Sequence, residues 1–336
     1  MNILFIGGTG LISSACSELV IQRGYNLTLL NRASSTKYTP PSGAELLVAD
    51  VRADPMALQN ALKDKKFDVV VDWIAYSLDD VERDLRLFSG KIGQFIFISS
   101  ASVYQKPPRH YIITEETPLE NPYWEYSRKK IACEERLMQA YHQEGFPATI
   151  IRPSHTYGPS QIPLCYTSWQ HPYTLIDRML HGLPIIIPGD GTSLWTLTWN
   201  ADFAKGLAGL LGLPAAIGEA FHITSDEVLT WNQITLEAAR AVGVEARLVH
   251  IASDLIAAYD PNAVGSLIGD KSNCAIFDNR KIKQFVPEFK CEVTWAEGVR
   301  RSLAWFAADP ARQTIDPSLN QTWERILSNY QKAFPT

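Results

Sequence analysis

Residues 1–32 of the chain are MNILFIGGTGLISSACSELVIQRGYNLTLLNR. The apolar run Asn2–Ile6 predicts a buried parallel strand, which ends at the glycine turn of residues 7–10. Leu11–Gln22 predicts a helix that Gly24 ends, and Leu27–Leu30 predicts the next strand. The order strand, glycine turn, helix, strand is typical of dinucleotide-binding units. This stretch therefore predicts both the fold and a cofactor site.

The glycine turn and the start of the helix form the predicted pyrophosphate site. Gly7 and Gly10 allow a tight turn and a close approach of phosphate to the backbone. The free N–H groups of Leu11 and Ile12 lie at the positive end of the helix dipole, where phosphate is stabilised. Ser13 stands where the usual pattern has a third glycine, and its small side chain still permits close packing of helix against strand.

The second strand ends at Asn31-Arg32, where a carboxylate would bond the ribose hydroxyls of NAD. Without a carboxylate at this strand end, Arg32 is free to pair with a 2′-phosphate, assisted by Ser34, Ser35 or Lys37. A guanidinium also stacks on adenine without discriminating between cofactors, so this alternative stays open. The residues predict that NADP(H) is preferred and that NAD(H) is possible.

The composition is that of a globular chain of 336 residues, with 46% hydrophobic residues and a net charge of −5. Because a nucleic-acid face is basic, this charge argues against nucleic acid as the main partner. No apolar run approaches the ~20 residues that cross a bilayer, so we expect no membrane partner. The N-terminus enters the first strand directly, which predicts no signal peptide. The five scattered cysteines lack metal-site spacing, so we expect reduced thiols, no metal and a cytoplasmic location.

The alternation of strands and helices continues to residue 152 and predicts an α/β fold, a Rossmann-type doubly wound parallel sheet. The further predicted strands are Ala44–Ala49, Phe67–Ile74, Gln94–Ile98 and Ala148–Ile151. The further predicted helices are Pro55–Leu62, Asp79–Leu87 and Tyr123–Glu144.

Past residue 152 the regular alternation stops. A helix at Thr198–Leu211 and a strand at Glu219–Thr224 are predicted to return to the sheet. Helices are also predicted at Trp231–Val242 and Trp295–Phe306, and near the C-terminus. We therefore expect two domains. The first is an NAD(P)-binding Rossmann domain of residues 1–160, to which residues 197–224 return. The second is a smaller mixed α/β substrate-binding domain of residues 161–196 and 225–336.

Several residues follow the carboxyl ends of predicted strands, the edge at which open α/β sheets bind ligands. Asp50 and Val51 follow the third strand, near the predicted adenine site. The Asp50 carboxylate is placed to accept the adenine amine or to cap the following helix, and both roles are compatible. Ala75 and Pro153 follow the fourth and sixth strands. All four are predicted cofactor-binding residues.

Tyr126 and Lys130 lie four residues apart on the predicted long helix, and thus on one face. A phenol ionises near pH ~10, and a neighbouring ammonium lowers that pKa, so that Tyr126 becomes a usable general acid/base. Lys130 can also hold the nicotinamide ribose. Ser100, at the end of the fifth strand, can donate to the substrate oxygen, or it can simply cap the backbone. These three residues are the predicted catalytic site.

Together these features resemble the extended branch of the short-chain dehydrogenase/reductase superfamily, the NAD-dependent epimerases and dehydratases that include UDP-galactose 4-epimerase. The motifs that carry the resemblance are GGTGLIS at 7–13, Asp50-Val51, SSASVY at 99–104, YSRKK at 126–130, RPSHTYGP at 152–159, and GDG at 189–191 with Asp202. The resemblance implies an NAD(P)-dependent enzyme that exchanges hydride between the nicotinamide and a carbon bearing a hydroxyl or carbonyl group. It implies Tyr126 as acid/base, Lys130 as its partner and Ser100 as the ligand of the substrate oxygen. It also implies a possible homodimer through the Tyr126 helix and the helix near residues 79–88.

Departures from the family pattern bear on the substrate. His155 stands in place of an asparagine, and Trp195-Thr196 stand in place of the Arg-Asp pair that relatives use for a nucleotide diphosphate. Losing that cation argues against a nucleotide sugar. Ala101-Ser102 replace the Asp-Glu pair of the dehydratases, so we expect no dehydration. The predicted substrate residues are Ser102, His155 and Trp195.

Four tryptophans near the same region predict an aromatic-walled pocket for a free sugar, glycoside, polyol or flat ring, although each could instead be a core residue. They are Trp124, Trp169, Trp195 and Trp199. The resulting hypothesis is an NADP(H)-preferring oxidoreductase or epimerase that acts on a secondary alcohol or ketone. The same three catalytic residues serve net redox and epimerisation, so this choice stays open. The alternative hypothesis is a non-catalytic dinucleotide-binding sensor, or an RNA-associated protein like the chloroplast stem-loop-binding members of this superfamily.

Overall fold

Strands and helices alternate along the protein, whose computed structural model describes residues 1–33, 37–53 and 55–333. The strands are β1 Asn2–Ile6, β2 Asn26–Asn31, β3 Glu45–Val48, β4 Val69–Asp72, β5 Gln94–Ile98, β6 Ile112–Ile113, β7 Ala148–Pro153, β8 His155–Tyr157, β9 Ile185–Pro188, β10 Leu194–Trp195, β11 Leu197–Trp199, β12 Ala220–Ile223, β13 Leu229–Thr230, β14 Leu248–Ile251 and β15 Ile276–Phe277. The α-helices are α1 Ser13–Gln22, α2 Pro55–Leu62, α3 Leu78–Phe88, α4 Glu125–Glu144, α5 Thr174–Leu180, α6 Asn200–Leu210, α7 Trp231–Ala241, α8 Ser253–Tyr259, α9 Ala263–Ser266, α10 Arg280–Phe285, α11 Trp295–Ala307 and α12 Pro317–Lys332. A π-helical turn spans Leu267–Lys271, and short 3₁₀ turns span Ala101–Val103, Pro214–Ala216 and Pro310–Arg312.

Seven of the strands form one parallel sheet in the order β12-β7-β5-β4-β1-β2-β3. The chain leaves β1 in one direction towards β2 and β3, and then returns to place β4 on the other side of β1. This reversal of strand order opens a crevice at the carboxyl ends of the strands, where doubly wound sheets bind ligands. The predicted Rossmann-type fold is confirmed.

The parallel strands form because their apolar runs are buried on both faces of the sheet. In β1, Ile3 and Phe5 pack on the side of α1 and α6, whereas Leu4 and Ile6 pack on the side of α3 and α4. Side chains of a strand alternate between the two faces, so one short run supplies both halves of the core.

The C-terminal half contributes its own hydrophobic cluster, built around the fully buried indoles of Trp231, Trp295 and Trp323. Strand β12 leaves this region and pairs with β7 at the edge of the sheet, as the sequence predicts for residues 219–224. Helix α6 likewise packs on α1. The division into two domains stays a prediction.

The boundaries of the sheet elements differ from the predicted ones by two residues or fewer. Helix α1 begins at Ser13 rather than Leu11, because the Ser13 hydroxyl accepts the Gly10 N–H and closes a separate turn before the helix. The sequence analysis did not predict the π-helical turn Leu267–Lys271 or the strand β6. In the three described ranges, no helix combines the length and apolarity needed to cross a membrane.

Candidate active site

The glycine turn between β1 and α1 has the backbone conformation that the motif predicts. Gly7 and Gly8 have φ angles of 102° and 100°, which favour glycine. A Cβ atom on Gly8 would lie 2.6 Å from Leu29 Cδ2, so no larger residue fits there. The Ser13 hydroxyl accepts the N–H of Gly10 at 2.8 Å, and the Ser17 hydroxyl donates to the Gly8 carbonyl at 2.9 Å. The missing third glycine of the motif is thus replaced by a hydrogen bond that fixes the turn.

The turn opens onto a cavity of about 940 Å³, here called the cofactor cavity. Most of the predicted cofactor and catalytic residues line this cavity. They are Gly7, Gly10, Leu11, Ile12, Asn31, Arg32, Asp50, Val51, Ser100, Tyr126, Lys130 and Pro153. Ala75 is the exception, because it is fully buried behind the wall. Trp73 and Ile74 line the cavity in its place, and the Ala75 carbonyl accepts a hydrogen bond from Lys130.

These residues fit a nicotinamide dinucleotide. A glycine turn followed by a helix start offers backbone N–H groups for a pyrophosphate. The basic and acidic side chains of Arg32 and Asp50 lie at one end of the cavity, and Lys130 and Tyr126 belong to the catalytic end. The cavity therefore has a phosphate site between two ends that suit a nucleoside and a reacting ring.

Arg32 does not stand alone at the predicted 2′-phosphate position. Its guanidinium lies 3.9 Å from the carboxylate of Asp50, which approaches from the end of β3. The end of the second strand lacks a carboxylate, as the sequence shows, but the residue that follows the neighbouring strand supplies one beside Arg32. The backbone N–H of Arg52 donates to Asp50 and holds the pKa of that carboxyl below its usual value.

Of the residues expected to assist Arg32, Lys37 is placed differently. The Lys37 ammonium lies 5.9 Å from the ring centroid of Trp305, and the adjacent Tyr38 hydroxyl lies 2.6 Å from the hydroxyl of Ser160. Lys37 is thus directed at the C-terminal half and not at Arg32. Ser34 and Ser35 lie outside the described residues.

Arg52 is a cavity residue that the sequence analysis missed. Its guanidinium donates to the Ile74 carbonyl at 2.6 Å and to Asp80 at 3.1 Å, and it covers the ring of Tyr76 at 4.9 Å. It follows Asp50-Val51 directly, and this position was the signal that could have identified it. Asp80 in turn bonds Ser77 at the start of α3, so Arg52 is fixed beside the nucleoside end of the cavity.

The predicted catalytic residues come together at the other end. Lys130 donates to the carbonyls of Ala75 and Ile98, each at 2.6 Å, and its ammonium lies 5.9 Å from the ring centroid of Tyr126. Burial lowers the pKa of Lys130 to about 8. The Ser100 hydroxyl is 2.9 Å from that of Ser102. Both Ser100 and Tyr126 line the cavity wall, as the sequence predicts.

The pKa of the Tyr126 phenol differs from the prediction. Burial raises this pKa above its usual value, a hydrogen bond with Ser100 opposes the rise, and the Asp270 carboxylate adds to it. The prediction that Lys130 lowers this pKa is wrong for the protein alone. The physical reason is that burial of the phenol has the largest effect on its pKa, while the ammonium is held by two backbone carbonyls rather than by the phenol.

Helix α4 is anchored by a buried ion pair one turn after Lys130. Arg152 of β7 donates to both carboxylate oxygens of Glu134, at 2.6 Å to Oε2 and at 3.2 Å to Oε1. Ser99, which precedes Ser100, also donates to Glu134. The strand that carries the catalytic serine and the helix that carries Tyr126 and Lys130 are thus tied to the same carboxylate.

A second cavity of about 270 Å³, here called the catalytic cavity, shares Ser100 and Tyr126 with the cofactor cavity. All three predicted substrate residues line it, and so do two of the other predicted tryptophans; these five are Ser102, His155, Trp195, Trp124 and Trp169. Trp199 does not, because it is a core residue packed against Tyr157 at 5.2 Å. Lys106, Asp270 and Lys271 complete the wall, and no motif in the sequence marked them.

The orientation of His155 is fixed by its neighbour. The indole N–H of Trp195 donates to His155 Nδ1 at 3.2 Å, so Nδ1 carries no proton. Burial lowers the pKa of this imidazole well below its usual value, and the Lys271 ammonium adds to the shift. His155 is therefore neutral with its proton on Nε2, which presents a hydrogen-bond donor.

The residues of this site lie in a part of the chain that is similar to known proteins. The NAD-dependent epimerase/dehydratase family matches residues 3–224, which include the glycine turn and the three predicted catalytic residues. The chain is 29% identical to the chloroplast stem-loop binding protein of 41 kDa b of Arabidopsis thaliana, over 74% of this chain. The match spans 65% of that relative, just under two thirds of its length. A UDP-N-acetyl-alpha-D-glucosaminuronate decarboxylase of Bacillus cytotoxicus is 23% identical over 90% of this chain and 97% of its own.

Solved structures confirm the fold. The UDP-glucuronic acid 4-epimerase of Bacillus cereus, in complex with UDP-glucuronic acid and NAD, superposes with a TM-score of 0.71. The alignment covers 92% of this chain and 99% of that enzyme, at 21% sequence identity.

Proposed function

This chain belongs to the NAD-dependent epimerase/dehydratase enzyme family, in the extended branch of the short-chain dehydrogenases/reductases, and we propose that it is an NADP(H)-preferring oxidoreductase or epimerase. Its substrate is a secondary alcohol or ketone on a small carbohydrate-like or ring compound. The observation that carries the proposal is the shared wall of Ser100 and Tyr126 between the cofactor cavity and the catalytic cavity. A substrate carbon held at this wall lies next to both the proton donor and the cofactor site.

The chain's own residues bind the cofactor and move the proton. The glycine turn and the N–H groups of Leu11 and Ile12 hold the pyrophosphate, and Lys130 holds the ribose beside Tyr126. When bound, the nicotinamide supplies hydride exchange at its C4 atom. Ser100 donates a hydrogen bond to the substrate oxygen, which stabilises the charge that develops there.

Tyr126 is placed to act as the proton donor in the reduction of a ketone. A phenol ordinarily keeps its proton at neutral pH, with a pKa near ~10, and burial raises this pKa further. In the oxidative direction the same phenol must first lose that proton. Both a reductase and an epimerase use this proton transfer, so the choice between them stays open.

The proposal excludes nucleotide sugars as preferred substrates. Trp195-Thr196 provide no cation at the position that relatives use for a diphosphate, and the catalytic cavity of about 270 Å³ suits a single ring. The wall residues Trp124, Trp169 and Trp195 supply flat apolar surfaces for the ring faces. This reasoning supports a free sugar derivative, glycoside, polyol or flat ring.

The test is hydride transfer from NADPH and from NADH to a panel of cyclic ketones, measured for the wild type and Tyr126→Phe. We expect turnover by the wild type and a loss of about 10²- to 10⁴-fold in kcat for the variant, because the proton donor is removed. NADPH affinity should stay unchanged in Tyr126→Phe. Full activity of this variant would contradict the assigned mechanism.

The second candidate function is a non-catalytic dinucleotide-binding or RNA-associated role. The 29% identity to a stem-loop binding protein favours it, and the net charge of −5 and the complete Ser100, Tyr126 and Lys130 set weigh against it. Gel-shift titration with an RNA stem-loop at two salt concentrations separates the candidates. Tight, salt-dependent binding together with no turnover on any ketone would favour the RNA-associated role.

The predicted cytoplasmic location stays a proposal, and all five cysteines are free thiols, as expected there. The predicted homodimer through α3 and α4 also stays a proposal. Light scattering at micromolar concentration tests it, since a dimer has twice the 37.6 kDa mass of one chain.

A further inference from the structure

A third cavity, of about 410 Å³, adjoins the catalytic cavity and shares His155, Trp169 and Lys271 with it. We call this cavity the donor chamber, defined by those three residues with Gln161 and Thr167. Its far side is closed by residues 260–266 and by the start of α12. The chamber thus extends the catalytic cavity away from the Ser100 and Tyr126 wall.

Three polar side chains of the donor chamber have no hydrogen-bond partner among the residues that the structure describes. The atoms without a partner are His155 Nε2, Gln161 Nε2 and Thr167 Oγ1. His155 is 8% exposed and Gln161 is 4% exposed. A buried donor without an acceptor is unfavourable, and such groups are paired in the great majority of folded proteins. An oxygen atom held in the chamber, from a water molecule or from a ligand, would supply the missing partner.

Lys271 is the cation among the residues that line the chamber, which also include the carboxylates of Asp260 and Asp316. The neighbouring Lys106 ammonium is neutralised by Asp270 at 3.2 Å, whereas Lys271 has no ion-pair partner within the described ranges. Lys271 is 6% exposed and lines both the catalytic cavity and the donor chamber. A buried cation is stabilised by an anion, and no carboxylate of the described residues lies within ion-pair distance of this ammonium.

The carboxylates at the far side of the chamber already have their own donors. Asp260 accepts the hydroxyl of Tyr166 at 3.1 Å. Asp316 caps α12 and accepts the N–H groups of Ser318 and Leu319 at 3.0 and 3.1 Å. These hydrogen bonds stabilise both charges locally, so the unpaired groups of the chamber are donors and a cation.

We propose that the donor chamber binds an anionic oxygen group of the substrate, a carboxylate or a phosphate monoester. Lys271 supplies the charge, and His155 Nε2–H and the Gln161 amide supply the hydrogen bonds. The reacting hydroxyl or keto carbon of the same substrate lies at the Ser100 and Tyr126 wall. The inference rests on the proposed function for the position of this reacting carbon. It narrows the substrate class to acidic or phosphorylated sugar-like compounds.

The test is calorimetric titration of the protein saturated with NADP⁺, so that the pyrophosphate site is filled. The probes are D-glucose, D-glucuronate, D-glucose 6-phosphate and UDP. The first three share a ring and differ only at C6, which carries a hydroxymethyl, a carboxylate or a phosphate ester. The variants are Lys271→Met and Lys271→Arg, with Lys66→Met as an exposed control.

We expect glucuronate or glucose 6-phosphate to bind at least about tenfold more tightly than glucose, because a charged hydrogen-bond partner contributes that much affinity. Lys271→Met should abolish the difference, whereas Lys271→Arg and Lys66→Met should retain it. The anion that binds more tightly shows whether the chamber prefers a carboxylate or a phosphate ester.

Equal binding of glucose and both anions, no binding of either anion, or anion binding unaffected by Lys271→Met would overturn the inference. UDP as the tightest ligand would also overturn it, in favour of a nucleotide site. Calorimetry needs no turnover, so this result is independent of the proposed activity. Anion binding through Lys271 by a protein that reduces no ketone would overturn the proposed function and leave the anion site standing.

Discussion

We expect Arg32 and Asp50 to influence cofactor selectivity in opposite directions. A 2′-phosphate near Arg32 gains a cation, but the Asp50 carboxylate 3.9 Å away repels it. We expect Arg32→Ala to weaken NADPH binding by about tenfold or more and NADH binding little, since a charge-assisted contact is lost. Asp50→Asn should strengthen NADPH binding. Fluorescence titration with both cofactors measures this, and equal effects on NADPH and NADH would show that neither residue is the selector.

Lys130 makes cofactor binding pH-dependent. Its pKa is lowered to about 8 by burial, so its ammonium is present below that pH and is lost above it. The ribose and the anionic cofactor are held better by the charged form. NADPH affinity should therefore fall as the pH rises through about 8. Lys130→Met should bind NADPH more weakly, and its affinity should not change across this pH range.

The position of a single residue could be predicted where a sequence motif determines it, but not where burial in the folded chain determines it. The glycine turn, Ser100, Tyr126 and Lys130 follow from local patterns. Ala75 lies behind the wall rather than in it, and Trp199 is a core residue, because sequence position gives the strand end but not the direction of each side chain. The pKa of Tyr126 depends on the surrounding burial, which no four-residue spacing contains.

At the level of secondary structure, the Glu134–Arg152 pair connects α4 to β7. Both side chains are buried, so Glu134→Gln leaves an uncompensated guanidinium in the core. We expect this change to lower the free energy of unfolding by about 3–5 kcal/mol. Glu135→Gln, the exposed neighbour on the same helix, is the matched control and should have almost no effect. Chemical denaturation measures both, and equal unfolding midpoints would contradict this role of the pair.

The helices and strands of the sheet were predictable because apolar runs and glycine stops repeat regularly up to residue 152. The π-helical turn Leu267–Lys271 was not, because it has no periodic pattern and is stabilised from outside. Its Gly269 carbonyl accepts the side-chain amide of Asn121, 148 residues earlier in the chain. That turn carries Asp270 and Lys271, so the sequence analysis also missed the charged part of the catalytic cavity.

On the scale of the whole molecule, Asn121 connects the 3₁₀ turn Ala101–Val103 to the C-terminal half. Its amide donates to the carbonyls of Ser102 and Gly269, each at 2.8 Å. We expect Asn121→Ala to raise the KM for the ketone substrate by about tenfold, because two buried hydrogen bonds that shape the catalytic cavity are lost. NADPH affinity should stay unchanged, since Asn121 does not line the cofactor cavity.

Steady-state kinetics and cofactor titration together check this expectation, with the exposed Asn60→Ala as the control. A parallel loss of NADPH affinity would mean that Asn121 stabilises the whole protein rather than the catalytic cavity. Sequence patterns alone could not place this contact, because it joins segments that meet only in the folded chain.

Trp169 is 55% exposed and lines the cofactor cavity, the catalytic cavity and the donor chamber together. Indole emission overlaps the absorption band of reduced nicotinamide, so excitation energy should pass from Trp169 to a reduced cofactor bound beside it. The other indoles complicate the signal, but Trp169→Phe identifies the share that this residue contributes. Trp169 should thus act as an intrinsic optical reporter of the reduced cofactor, so that its binding and release can be followed without a label.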